Sequence, residues 1–243
     1  GDEIEFPEDG YQGEDIKDLA KEYADLNGDS LVNVSAEERK KALVDFALPK
    51  NISKMQADME KYKIFYDKWF FESELHKSGA VKAVVDLLTE KGLTYEKEGA
   101  VWYKNKEVLT QKLLKEGKSQ KYIDNLELKD DVLIRQNGNP TYFTADIAYH
   151  KNKFDRGFTT LIDVWGADHH GHVMRMKGAM DAIGYDGDKL NVVLMQLVKL
   201  VKDGELVKMS KRTGKAIQLG DLLDEVPVDS ARFLFNTKEA NTQ

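Results

Sequence analysis

Between Lys199 and Lys215 the sequence carries Lys199, Lys202, Lys208, Lys211, Arg212 and Lys215 against Asp203 and Glu205, a local charge of +4 (6 − 2). Gly204 and Gly214 flank Lys208-Met209-Ser210-Lys211-Arg212 and leave that run free to move. Ammonium groups on such a loop can tighten onto phosphate oxygens as negative charge builds in a transition state, which is where binding raises rate. A solvated charged hairpin would have the same composition, and charge alone favours it.

A second cluster, Asp168-His169-His170-Gly171-His172, has residue types that bind metals. A metal-dependent hydrolase built on Asp168, His169 and His172 is therefore one reading. His170 and His172 would share a face only on a strand, however, and this segment should follow a strand and open a helix. Near-adjacent side chains then cannot all converge, and a loop contacting a polar ligand fits better. Tyr142 and Asp146 form a third pair, which could be a core aromatic and a helix N-terminal charge.

Two other motifs fail on inspection. Asp25, Asn27, Asp29, Val32 and Asn33 have calcium-loop spacing, but Ser30 stands at the glycine position and Ala36 where a bidentate carboxylate is needed. Gly117-Lys118-Ser119 lacks the P-loop glycine five residues earlier, where Lys112 stands.

The elements that would position these clusters fall into two textures. With 243 residues the chain suits one large domain, or a domain with an inserted lobe. Residues 1–92 read as mainly helical: a stripe of Ile16, Leu19, Ala20 and Tyr23, then a helix capped by Ser35 with Glu38. A third, longer helix would carry Met55, Met59, Tyr62, Tyr66, Trp69 and Phe70 as core, and Val81 to Leu88 a fourth, ended by Lys91-Gly92. Residues 93–225 alternate strand and helix. Strands are expected at Ala100–Tyr103, Val132–Arg135, Leu161–Val164 and Val192–Val201. Asn137-Gly138 marks a turn, and helices follow from Thr144, over Val173–Ile183 and near Leu219. The fold class is α/β, with a parallel sheet whose sites lie at strand carboxyl ends. A net charge of −7 argues against wholesale coating of nucleic acid. Absence of cysteine excludes disulfides and thiolate-bound metal, and fits a reducing cytoplasm. The longest apolar stretch is broken by Gln196 and Lys199, so no membrane span is expected.

Lys208-Met209-Ser210-Lys211-Arg212 resembles the Lys-Met-Ser-Lys-Ser loop of class I aminoacyl-tRNA synthetases. Tyr142-Phe143-Thr144-Ala145-Asp146-Ile147-Ala148-Tyr149-His150, with Lys153-Phe154, is similar to a segment of the arginyl branch. So are Trp165-Gly166-Ala167-Asp168-His169-His170-Gly171-His172, the stretch Lys202–Gly214, Phe6–Gly13, and Asp229-Ser230-Ala231-Arg232. The matches cover most of the chain in the family's order. Arg212 agrees with the arginyl branch, whereas Asn137 stands where aspartate is frequent and Pro227 where glycine is common.

This resemblance implies an arginine–tRNA ligase that makes arginyl-adenylate from arginine and ATP and transfers it to tRNA. It implies the second half of a Rossmann-like sheet preceded by the helical lobe, with residues 226–243 starting the connection to an anticodon-binding domain. Tyr142, Asp146 and Asp168 would bind arginine, with Tyr142 closing a strand and Asp146 in the first helical turn. Gly166, Asp168, His169, His172, Met209 and Lys211 would bind ATP, and Lys208, Ser210 and Lys211 would act in catalysis. Mg²⁺ would accompany ATP, with no protein-bound structural metal. The class also needs a His-Ile-Gly-His-type loop. His169-His170-Gly171-His172 fits it only as letters, lying too close to Lys208, so that loop is expected upstream of Gly1 and this piece alone should be inactive.

Overall fold

A computed structural model describes residues 13–199, 201–202, 205–206 and 218–242. In chain order its elements are α1 (Glu14–Asn27), α2 (Ala36–Lys61), α3 (Glu72–Lys77), α4 (Ala80–Glu90), β1 (Thr94–Lys97), β2 (Ala100–Tyr103), α5 (Asn105–Lys115) and α6 (Gln120–Asp124). There follow β3 (Asp131–Ile134), α7 (Tyr142–Asp155), β4 (Leu161–Gly166), a 3₁₀ turn Ala167–His169, α8 (His170–Ile183), a 3₁₀ turn Gly187–Lys189 and β5 (Leu190–Met195). Last come β6 (Val201–Lys202), β7 (Glu205–Leu206), α9 (Leu219–Glu225) and α10 (Val228–Asn236). The fold class is mixed α/β, as expected. Among the described residues no helix is long and apolar enough to cross a membrane.

The chain divides into two compact units, one of the residues up to Asp67 with Val198–Glu239, the other of Lys68–Leu197 with the residues from Ala240 on. In the first unit Ser35 caps α2 as its sequence indicates. Its hydroxyl accepts from the Glu38 N–H at 3.2 Å, and its own N–H donates to the Glu38 carboxylate at 3.0 Å. The helix then runs unbroken through Pro49 to Lys61, so the two expected helices are one. It stops because Lys63 turns left-handed (φ 61°), letting the Ile64 N–H reach the Met59 carbonyl at 2.9 Å and the Lys63 N–H reach Glu60. This is a Schellman closure, usually built on glycine. Tyr62, Tyr66, Trp69 and Phe70 therefore leave the helix, and the expected Met–aromatic stripe is not one core face: Met55 is 50% and Tyr66 55% exposed, while Phe70 packs against the core of the second unit and stacks on Tyr149. Arg232 of α10 holds the helix end, donating to the Tyr62 carbonyl at 2.8 Å with its guanidinium over the Tyr62 ring.

The second unit holds the main core. Leu75, Val84, Leu88, Tyr103, Leu133, Ile147, Met176, Met180 and Leu190 interlock between α3, α4, α7 and α8 and the inner faces of the strands. Strands β1, β2 and β3 form an antiparallel sheet in that order, and β4 and β5 a parallel pair linked by α8. The expectation of parallel pairing thus holds for β4 and β5 alone. Glu98 and Gly99, both at positive φ, make a two-residue hairpin of the twist that antiparallel strands favour. α5 and α6 between β2 and β3 do not enforce parallel pairing. The expected strand Val192–Val201 ends at Met195, where Gln196 turns its N–H to the Ala240 carbonyl at 2.8 Å.

Gly187 closes α8 onto β5. Its N–H donates to Asp181 at 2.7 Å, and a Cβ there would sit 2.3 Å from the Lys177 carbonyl oxygen. Main chain cannot yield as a flexible side chain can. Gly187→Ala should lower stability by about 1–3 kcal/mol, seen as a lower urea midpoint at unchanged slope; an unchanged midpoint would show that the 3₁₀ turn is loose.

Candidate active site

The cleft is built on α7, whose start is fixed by two threonines. Thr141 is the N-cap: its hydroxyl accepts from the Thr144 N–H and donates to the Val132 carbonyl at 2.8 Å. Thr144 donates to the Leu133 carbonyl at 2.8 Å. Both bonds tie the helix start to β3, and Gly138, at φ 78°, provides the preceding turn. The helix therefore begins at Tyr142 rather than Thr144. Two expectations change with it: Tyr142 opens a helix instead of closing a strand, and Asp146 lies beyond the first helical turn.

From Tyr142 the helical period places Asp146, Tyr149 with His150, and Lys153 along one face. That face meets β4, where alternation turns Leu161 and Asp163 inward and Ile162 and Val164 outward. Asp163 is 7% exposed. One oxygen accepts from the Lys153 ammonium at 2.7 Å, and the other faces Nε2 of the buried His150. Burial pushes the Asp163 carboxyl up, but hydrogen bonds and charge from His150 and Lys153 outweigh it and hold it below the ordinary carboxylate range. Its signal in the sequence was an aspartate at an inward strand position, which must find partners. Its roles, and those of His150, Lys153 and Trp165, were not singled out there.

Asp146, Trp165, Gly166, His169 and His172 are among the residues lining a cleft of about 500 Å³ at the carboxyl end of β4. Trp165 lies 5.2 Å from the His172 ring, and Phe143 packs edge-on against its other side at 5.6 Å. So held, His172 places Nε2 3.2 Å from Oδ2 of Asp146, whose side chain is 46% exposed. Arg175 stacks on Phe143 and takes Asp131 through two nitrogens. Burial raises the Asp131 carboxyl above its usual range, only partly offset by Arg175. At Gly166 a Cβ would lie 2.5 Å from Oδ1 of Asp168, an exposed side chain that could turn aside.

Of the sequence-derived site residues, then, Asp146, Gly166, His169 and His172 share the cleft. Asp168 stands beside it, its side chain 80% exposed and 3.9 Å from His169. Tyr142 is 79% exposed at the helix start and does not line it. Lys208, Met209, Ser210 and Lys211 lie outside the described residues. Among the described residues no three His, Asp or Glu side chains are grouped to hold a metal ion.

Because the folded carboxyl of Asp163 is depressed, its stabilisation is present above the ordinary carboxylate range and is lost as pH falls through the lowered value. Melting temperatures should fall more steeply below about pH 4 in the parent than in Asp163→Asn, which should already be less stable at neutral pH. Parallel profiles would show that Asp163 is not held ionised.

Comparison with known proteins gives this geometry a family. Residues 27–243 match the family model "tRNA synthetases class I (R), catalytic domain". The chain is 52% identical over 242 residues to the arginine–tRNA ligase of Ruminiclostridium cellulolyticum, and 54% identical over 243 residues to that of Caldanaerobacter subterraneus subsp. tengcongensis. These matches cover 99% and 100% of the chain, which spans about 40% of the length of either relative. A crystal structure from Campylobacter jejuni superposes with a TM-score of 0.80 at 36% identity, covering 99% of this chain and 48% of that one. Thermus thermophilus arginyl-tRNA synthetase shares the fold, with a TM-score of 0.58 at 19% identity over 93% of this chain and 41% of its own. The chain belongs to the catalytic-domain family of class I tRNA synthetases of the arginyl type.

Proposed function

We propose that this chain carries the arginine and ATP site of an arginine–tRNA ligase. The observation that carries the reading is the Asp146 carboxylate: half-exposed at the cleft, bonded through Oδ2 to His172, and with Oδ1 making no hydrogen bond among the described residues. A guanidinium fork is its natural partner. Tyr142, one turn earlier on the same helix face, would cover the guanidinium, and Asp168 would meet the α-amino end. Neutral amino acids would leave a carboxylate unpaired, so discrimination needs no editing step.

In the first step the arginine carboxylate would attack the α-phosphorus of ATP, forming arginyl-adenylate and releasing pyrophosphate. A ribose hydroxyl at the tRNA terminus would then attack the acyl carbonyl, releasing AMP. Gly166, His169 and His172 would face the adenosine, and the family resemblance gives Met209 a part in binding ATP. Lys211, helped by Lys208 and Ser210, would steady the departing phosphates. Mg²⁺ would enter with ATP, held largely by phosphate oxygens. In this reading residues 93–225 form the later half of the catalytic domain, 1–92 a connecting lobe and 226–243 the start of the link to an anticodon-binding domain. The setting is the cytoplasm.

Arginine-dependent ATP–pyrophosphate exchange by the full-length protein, with tRNA present, tests the reading; activation of another amino acid, or of none, would sink it. Asp146→Asn should raise the arginine KM about 100-fold, as expected for loss of one partner of a desolvated charge pair. Lys211→Ala should instead lower kcat by about 10²–10³-fold, and a parental rate would remove it from the phosphate site.

A further inference from the structure

His150 follows Asp146 by four residues on α7 and is 3% exposed. Its Nδ1 lies 2.7 Å from the main-chain oxygen of Asp146, and its Nε2 faces Oδ2 of Asp163. Both partners are acceptors. A carbonyl oxygen has no proton to give, and neither has a carboxylate that also takes the Lys153 ammonium at 2.7 Å. The Nε2 N–H therefore donates to Asp163, the bond that crosses between the two elements. The ring is a rigid link between the turn of α7 that carries Asp146 and the strand that carries Trp165 and Gly166. Trp165 stands edge-on to it, with ring centroids 6.2 Å apart, so the link is packed as well as bonded.

Arginine has two ends to satisfy at once. Its guanidinium would meet Asp146 on α7, and its reacting carboxylate must meet the nucleotide at the end of β4. Any slip of α7 along β4 changes the span between those points, and a shift of about 1 Å can cost about 100-fold in rate. Among the described residues, the side-chain hydrogen bond of Asp146 runs to His172 on α8 and not to β4.

We propose that His150 is a positioning residue for arginine: through Asp163 it sets the distance between the Asp146 carboxylate and the nucleotide end of the cleft. This rests on the arginine reading above. Lys153 belongs to the same device, because its ammonium keeps Asp163 an acceptor for the ring.

The test compares the parent with His150→Gln, His150→Asn and His150→Ala in arginine-dependent exchange by the full-length protein. Glutamine carries an N–H₂ group at about the reach of Nε2 and can keep the Asp163 bond; asparagine is too short. The arginine KM should rise about tenfold or more in His150→Asn and His150→Ala, and by under about threefold in His150→Gln. The ATP KM should move by less than about twofold in all three. An unchanged arginine KM in His150→Ala, arginine and ATP constants rising together, or glutamine doing no better than asparagine would each overturn the proposal. Nitrogen NMR of the parent tests the geometry without any variant. It should find a proton on His150 Nε2, and a bare Nε2 would overturn the link. A parent that shows no dependence on arginine would sink the functional reading and this inference with it. An arginine-dependent parent with insensitive variants would sink the inference alone.

Discussion

A carboxylate buried between a strand and a helix is the constraint on which the cleft depends. Asp163 cannot be solvated where it sits, so its charge is tolerable only while His150 and Lys153 answer it from α7. Such a cluster adds little net stability compared with an apolar contact of the same volume, since desolvation consumes most of the Coulombic gain. Its effect is directional. An apolar contact lets α7 slide by fractions of an ångström over β4, whereas two bonds from one helix face to one carboxylate fix both register and rotation. The face so fixed carries Asp146 at one end and Lys153 at the other.

The surroundings extend this logic across the cleft. Thr141 and Thr144 pin the start of α7 to β3, so the helix is held at its beginning by main-chain carbonyls and in its middle by Asp163. α8 is held by different means: Gly178 lets Leu109 of α5 approach closely, and Gly187 fits against the Lys177 carbonyl. His172 projects from the start of that second fixed helix between Phe143 and Trp165. Asp146 and His172 thus meet because two helices are independently anchored, and the half-exposed carboxylate that results suits a cationic ligand.

Much of this was legible in the sequence where a local rule was enough. The Ser35–Glu38 box, the Asn137-Gly138 turn, the helix closed at Lys91-Gly92 and the strand before Gly166 all follow from side-chain chemistry within a few residues. The failures have physical causes. Lys63 adopts a left-handed conformation that nothing in a lysine announces, so the aromatic stripe beyond it was read as helix and core. The antiparallel β1–β3 sheet was missed because helices between strands suggest crossovers, although α5 and α6 merely return the chain beside β2. Tyr142 and Asp146 were placed one structural step early because α7 is capped at Thr141 and starts at Tyr142 rather than at Thr144. In the site, Asp146 and His172 were named from resemblance, while the Asp163–His150–Lys153 cluster joins β4 to α7 and shows only in three dimensions.

The central claim is that the cleft recognises the positive charge of a guanidinium through Asp146. Calorimetric titration of the full-length protein with arginine and with citrulline, a near-isostere whose ureido group is neutral, isolates that charge. The account predicts that citrulline binds at least about 100-fold more weakly, and that Asp146→Asn closes most of the gap by weakening arginine alone. Equal affinities for the two amino acids, or a gap that survives Asp146→Asn, would contradict it.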